Sequence, residues 1–205
     1  MLPSASLFGT ALGLSAGAGL NAYAVLLVYG AAARSFPEEF PGALCQWICR
    51  PVPMTVLAAL FVLEFFVDKI RGLDRAWDVL QAVARPASGA FLAAAVVSPV
   101  AEPVLTVVAA GLGVVVALAA HFVKGVARLT STALTAGVAN VALSLAEDVL
   151  AFLQALVSLF LPTVAFWVVL ALGVVFLATV PKAARSIDLL GLRRPGGPPT
   201  HPPSS

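Results

Sequence analysis

Six stretches of almost uninterrupted apolar residues alternate with short polar connections along the chain: residues 1–33, 51–67, 86–101, 103–123, 129–146 and 149–181. Unbroken runs predict membrane helices. A membrane strand would alternate over about ten residues, and lipid forces each segment to satisfy its own backbone. A span needs roughly 20 apolar residues; the third and fifth runs fall short of this, and the first and last far exceed it. The expected fold is all-α, a polytopic transmembrane helix bundle of about six spans. Folding each long run into a hairpin gives seven to eight segments instead. A single transmembrane domain over residues 1–181, including an amphipathic helix at about 68–85, would precede a Pro- and Gly-rich tail over 182–205. That tail has no apolar period and is expected to be disordered, with His201 inert within it. The first run lacks a basic leader and is too long for a cleaved signal.

Two places look weak as continuous helix. The stretch GLSAGAGLNAY carries Gly13, Gly17 and Gly19 just before Asn21. Glycine makes unwinding cheap, and an Asn side chain can bond freed backbone groups. Close packing of helices through small residues is the other reading of the same stretch. A fainter copy follows near residues 137–140: AGLNAYAVLL (residues 18–27) lines up with AGVANVALSL (residues 136–145), each with an Asn close behind its glycine, Asn21 and Asn140. Broken helices near residues 17–21 and 137–140 are expected on this basis, and the alignment allows an internal repeat. Pro162 is a third candidate break, inside the overlong last run.

Composition narrows the class. Of the 205 residues, 60% are hydrophobic and only 11% charged, and the mean hydropathy is +1.01. A soluble domain has about 25% charged residues, so an ordinary soluble fold, a disordered chain and a basic nucleic-acid binder are all excluded. The basic residues are unevenly placed. Lys69, Arg71, Arg75 and Arg85 follow the second run, Lys124 and Arg128 the fourth, and Lys182, Arg185, Arg193 and Arg194 the sixth. With six spans, the positive-inside rule makes those connections, and both termini, cytoplasmic.

The remaining charges are candidates for chemistry. In EFFVDKIRGLDRAWDVLQAVARP (residues 64–86), Glu64, Asp68, Arg71, Arg75 and Asp78 share one helical face. Beyond about Asp74 this reads as an interfacial helix with Trp77 at headgroup depth. Glu64, inside an apolar run, must face a partner or a hydrated cavity; Asp68, one turn on, is its natural companion, and close carboxylates bind a proton or a cation. His121, Lys124 and Arg128 form a second stripe. Asn140, Ser144, Glu147 and Asp148 form a third, and they lie within a helix if one starts at the Gly137 break and continues to about Phe160. Cys45 and Cys49, spaced by four, make neither a disulfide framework nor a zinc set and are expected to be structural. No metal set or cofactor motif is legible.

GLSAGAGLNAY, the EFFVDKIRGLDRAWD block, RPASGA, AHFVKGVAR and ANVALSLAEDV together resemble a bacterial integral-membrane family, domain of unknown function 4126, from about Gly13 to Pro181. The sequence departs from the family pattern as we know it at Arg71, where a proline is associated with the family, and over residues 130–132. The resemblance implies a small multi-pass protein of the bacterial inner (cytoplasmic) membrane and implies no reaction.

The expected function is transport or channel activity for a small ion or polar solute in the lipid bilayer, with no nucleic-acid partner and with homo-oligomers permitted. Glu64, Asp68, Glu147 and Asp148 would accept cations or protons; Asn21, Asn140 and Ser144 would supply polar ligands near the breaks; Lys69, His121 and Lys124 would be charge partners. A second expectation is a flippase or membrane enzyme, in which Arg71, Arg75, Arg85, Lys124 and Arg128 clamp a lipid headgroup and Asp74 and Asp78 hold Mg²⁺. A third is a non-catalytic membrane scaffold whose charges only pair with each other.

Overall fold

The computed structural model describes residues 4–67, 73–136 and 138–189, and among these there is no strand. Eight helices follow in order: α1 (Ser4–Leu20), α2 (Ala22–Ser35), α3 (Ala43–Ile48), α4 (Pro51–Val67), α5 (Leu73–Val97), α6 (Pro103–Thr135), α7 (Asn140–Phe160) and α8 (Pro162–Leu189). Val79–Val97, Pro103–Thr135, Asn140–Phe160 and Pro162–Pro181 are long and apolar enough to cross a bilayer; Ser6–Leu20 and Pro51–Val67 are apolar but shorter. The exterior is apolar too. Val52, Val104, Val107, Leu118, Leu153, Trp167 and Val174 are all exposed. Water would penalise such a surface and hydrocarbon would not.

Helix α1 is the centre of the bundle, packing against α5, α6, α7 and α8. Its small residues make this possible. Gly9 meets Pro162, Gly13 meets Ser158 and Ala165, Gly17 meets Ala151, and Gly19 meets Ala117 and Ala120. Helices α5 and α6 cross with Gly89 and Gly113 back to back, so that a Cβ on Gly89 would stand 2.6 Å from the Gly113 carbonyl oxygen. Close helix approach through small residues is the packing mode expected where lipid removes the hydrophobic drive between helices.

The first apolar run is broken, at the place its glycines and Asn21 suggested. Asn21, with φ −145° and ψ 104°, separates α1 from α2 and caps α2 by accepting from the Ala24 amide at 2.9 Å. The chain then turns back. Val25 packs against Gly17, and Tyr29, on α2, belongs to the same buried cluster as Leu14, Leu92 and Ala95, so α2 runs back alongside α1. The last run is likewise folded, at Leu161 (φ −133°, ψ 60°), with Pro162 opening α8. Both overlong runs are therefore divided between two helices. Because the first run doubles back, the start of α1 lies beside Pro162, where α8 begins, and α8 then runs away from it. The starts of α1 and α8 share one end of the bundle, and α8 finishes at the other.

Two further readings are corrected. The fifth apolar run is not one span: it is divided between the end of α6 and the start of α7 by a turn in which Ala136 has φ +50°. The interfacial helix is not separate either. Backbone from Leu73 continues as α5 straight through Pro86 to Val97; proline costs a helix one hydrogen bond without ending it when tertiary packing holds both sides. The two segments aligned as a repeat also differ locally, since Asn21 caps a helix whereas Asn140 is the first residue of one.

Candidate functional site

Where α1 ends, charges from four surrounding helices meet. A helix that stops leaves its last carbonyls without amide partners. At this end the Leu20 carbonyl accepts a hydrogen bond from Lys124 Nζ on α6 at 2.9 Å. The same ammonium lies 3.0 Å from Glu147 Oε2 on α7, and both side chains are almost fully buried. Arg128, one turn beyond Lys124, closes on Glu147 as well, through NH2 at 2.7 Å and Nε at 3.1 Å. Asn21 uses its two ends differently: its carbonyl oxygen caps α2, and its amide nitrogen donates to Asp148 Oδ1 at 2.8 Å. One lysine and one asparagine thus tie the helix break to the acidic pair of α7. Helical spacing explains how α7 does this, since Ser144, Glu147 and Ala151 form one buried face turned toward α1 and α6.

A second pair adjoins the first. Arg85 NH2 on α5 bonds Glu64 Oε1 on α4 at 2.9 Å, with the two side chains 0% and 1% exposed. Arg85 NH1 lies 2.7 Å from His121 Nδ1 on α6. A guanidinium has donors only, so His121 accepts at Nδ1, which fixes a neutral imidazole with its hydrogen on Nε2. His121 is one turn from Lys124, so the polar groups run from Glu64 through Arg85 and His121 to Lys124, Glu147 and Asp148. Tyr23, just past the break on α2, faces Glu64, Gln81 and Arg85. Outside this network His121 also borders an open apolar groove of about 600 Å³, lined by Val115, Phe122, Leu129 and Phe176.

Of the residues singled out in the sequence, Asn21, Glu64, His121, Lys124, Ser144, Glu147 and Asp148 are gathered here. Asn140 is not: it donates to Thr132 Oγ1 at 2.8 Å across the α6–α7 turn, at an exposed site. Arg85 and Arg128, expected at a headgroup-facing surface, are instead held inward by Glu64 and Glu147. The expected Glu64–Asp68 pairing falls outside the described residues, as do Lys69 and Arg71; Asp74, Arg75 and Asp78 lie on the first turns of α5, with only their backbone described. Glu64 and Arg85 were not paired in the sequence reading because Pro86 made the second helix look finished at Arg85. Gln81 was missed too. The signal was there, for polar residues recur at 74, 78, 81 and 85, a single face that leads inward.

At the other end of the bundle the two cysteines are free thiols. Cys45 is buried on α3, 2.8 Å from the Tyr29 hydroxyl; burial pushes its thiol above the ordinary cysteine range, with the Tyr29 hydrogen bond working the other way. Its side chain packs in the same buried cluster as Leu14, Tyr29 and Ala95. Among the described residues no cluster of His, Cys, Asp and Glu is arranged to hold a metal ion.

Over residues 8–182 the chain matches the family described as Domain of unknown function (DUF4126), and it belongs to that family. No curated protein and no solved structure matches it.

Proposed function

We propose that this is an integral membrane transporter or channel for a small ion or polar solute, with the buried end of α1 as its working site. One observation carries the reading: the Lys124 ammonium stands between the freed carbonyl of a broken helix and a buried carboxylate. Carbonyls of interrupted helices together with acidic side chains are the ligands with which bundles of this kind hold cations, and ionisable groups kept inside an apolar bundle are costly unless used. Lys124, Arg128, Glu147 and Asp148 bring both signs of charge to the site, so adding or removing one proton or cation changes its balance. In this reading the end of the bundle reached by α8 faces the cytoplasm, which the basic connections support, and the membrane is the bacterial inner membrane.

The test is flux in proteoliposomes. Protein-loaded vesicles should carry protons or sodium faster than protein-free ones under an imposed gradient. Asp148→Asn, which keeps an oxygen for Asn21 but loses the charge, should cut that flux by at least about tenfold. Flux equal to that of protein-free vesicles would overturn the reading. The groove beside His121 favours a lipid-handling alternative, in which an acyl chain lies against Phe122 and Phe176; phospholipid retained stoichiometrically by purified protein, together with absent ion flux, would select it.

A further inference from the structure

Three residues on one face of α5 carry buried polar atoms without a hydrogen-bond partner. They are Trp77 Nε1, both amide atoms of Gln81, and Arg85 Nε. Their spacing of four stacks them on successive turns, about 6 Å apart. Gln81 and Arg85 are both 0% exposed. The Tyr23 hydroxyl lies beside Gln81, yet no contact to the Gln81 amide meets hydrogen-bond geometry. Exchanging the oxygen and nitrogen of that amide changes nothing, since both are unpartnered. Pro86, with no N–H, also cannot donate to the Ala82 carbonyl in the same turn.

An orphaned buried polar group is rare, and a row of them on one face calls for a hydrogen-bonding occupant. The chemistry selects its class. Three of the four unpartnered groups are donors (indole N–H, amide NH₂, guanidinium Nε–H), which repels a cation. Arg85 already has Glu64 at 2.9 Å, so an added anion would be uncompensated in a low-dielectric interior. A small neutral molecule that both accepts and donates fits, and water needs only two to four such partners.

We propose that the Trp77–Gln81–Arg85 face of α5 binds a thread of water that leads to the Arg85, Glu64 and His121 end of the buried network. The thread would give that network an aqueous connection along α5. Only this purpose rests on the transport reading; the hydration itself does not, and its test involves no flux.

Gln81→Cys and Leu92→Cys place thiols at two sites on α5 that are equally buried, the second within the apolar cluster. Each is made with Cys49→Ser and treated with 2-aminoethyl methanethiosulfonate in folded protein, the modified site being read by mass spectrometry. The water-soluble reagent attacks ionised thiols, so Gln81→Cys should react at least about tenfold faster than Leu92→Cys. Independently, in the unsubstituted protein, the Trp77 indole N–H should exchange with D₂O within minutes by NMR, its signal assigned through Trp77→Phe. Equal, slow labelling of the two thiols, or indole protection lasting hours, would overturn the proposal.

Discussion

Glu64 and Arg85 show what a single pair of residues does in this protein. Their attraction offsets the loss of hydration only while both are present. Glu64→Gln should cost about 3–5 kcal/mol by leaving Arg85 as an uncompensated buried charge, whereas Glu64→Leu combined with Arg85→Met should recover most of that loss. Thermal unfolding in detergent, run as a double-mutant cycle, reads this coupling; additive effects of the two substitutions would show that the pair is not coupled. Asn21 is tested by a finer comparison. As a helix cap, Asp is about as good as Asn, but an aspartate at position 21 would set a carboxylate against Asp148, where the amide now donates at 2.8 Å. Asn21→Asp should therefore unfold at a lower temperature than Asn21→Ala, the reverse of the order that capping alone gives. For the cysteines, burial of Cys45 keeps its thiol protonated beyond the usual range. Alkylation at pH 7 should modify the half-exposed Cys49 and spare Cys45, and Cys45 should begin to react only as the pH climbs into the alkaline range. Equal rates at pH 7 would place Cys45 in a wetter environment than the fold shows.

Among elements, the α1 break was the most legible feature and the α5 helix the least. GLSAGAGLNAY holds both of its readings at once: the glycines do bring neighbouring helices close, and Asn21 does end the helix. Sequence could not show that the chain reverses at Asn21, because a one-residue break in an apolar run has the same composition whether the next helix continues or turns back. The α5 helix was hidden by Pro86 and by the charges before it, which looked like an interfacial helix until tertiary packing buried Gln81 and Arg85. The α6–α7 turn was half visible, for the shortness of the fifth run and the length of the sixth point to a helix starting at the Gly137 break and running to about Phe160, and α7 spans Asn140–Phe160. The glycines give this scale its own test. At Gly113 an added Cβ would lie 2.9 Å from the Ala93 side chain and against Gly89 backbone, while at Gly111, two residues away, nothing stands within 4 Å. Gly111→Ala should be neutral or stabilising by up to roughly 1 kcal/mol. Gly113→Ala should force α5 and α6 apart and sharply lower the yield of folded protein in size-exclusion chromatography. Equal yields would mean that the two helices do not cross at these residues.

For the whole molecule, composition alone identified the class, since 11% charged residues cannot cover a soluble domain. Composition could not say where the few charges go. The structure turns Glu64, Arg85, Lys124, Arg128 and Glu147 toward one another, and the stripes of His121, Lys124 and Arg128, and of Ser144, Glu147 and Asp148, were the part of that arrangement readable in advance. Which stripe faces which was not readable, because pairing across α4, α5, α6 and α7 depends on how the helices cross. A scaffold would use these charges only to hold the bundle together, and a transporter would use them to bind and release. The most direct measurement separates the two by following stability and flux in one variant. Lys124→Met, Arg128→Met and Glu147→Leu together replace the whole ion cluster by apolar groups, leaving neither base without its carboxylate, a change that buried ion pairs and triads commonly tolerate. The prediction is a bundle that melts within a few degrees of the unsubstituted protein but carries no more proton or sodium flux than protein-free vesicles. Unchanged flux in a folded variant would contradict it and leave the Lys124–Glu147 contact as structural glue.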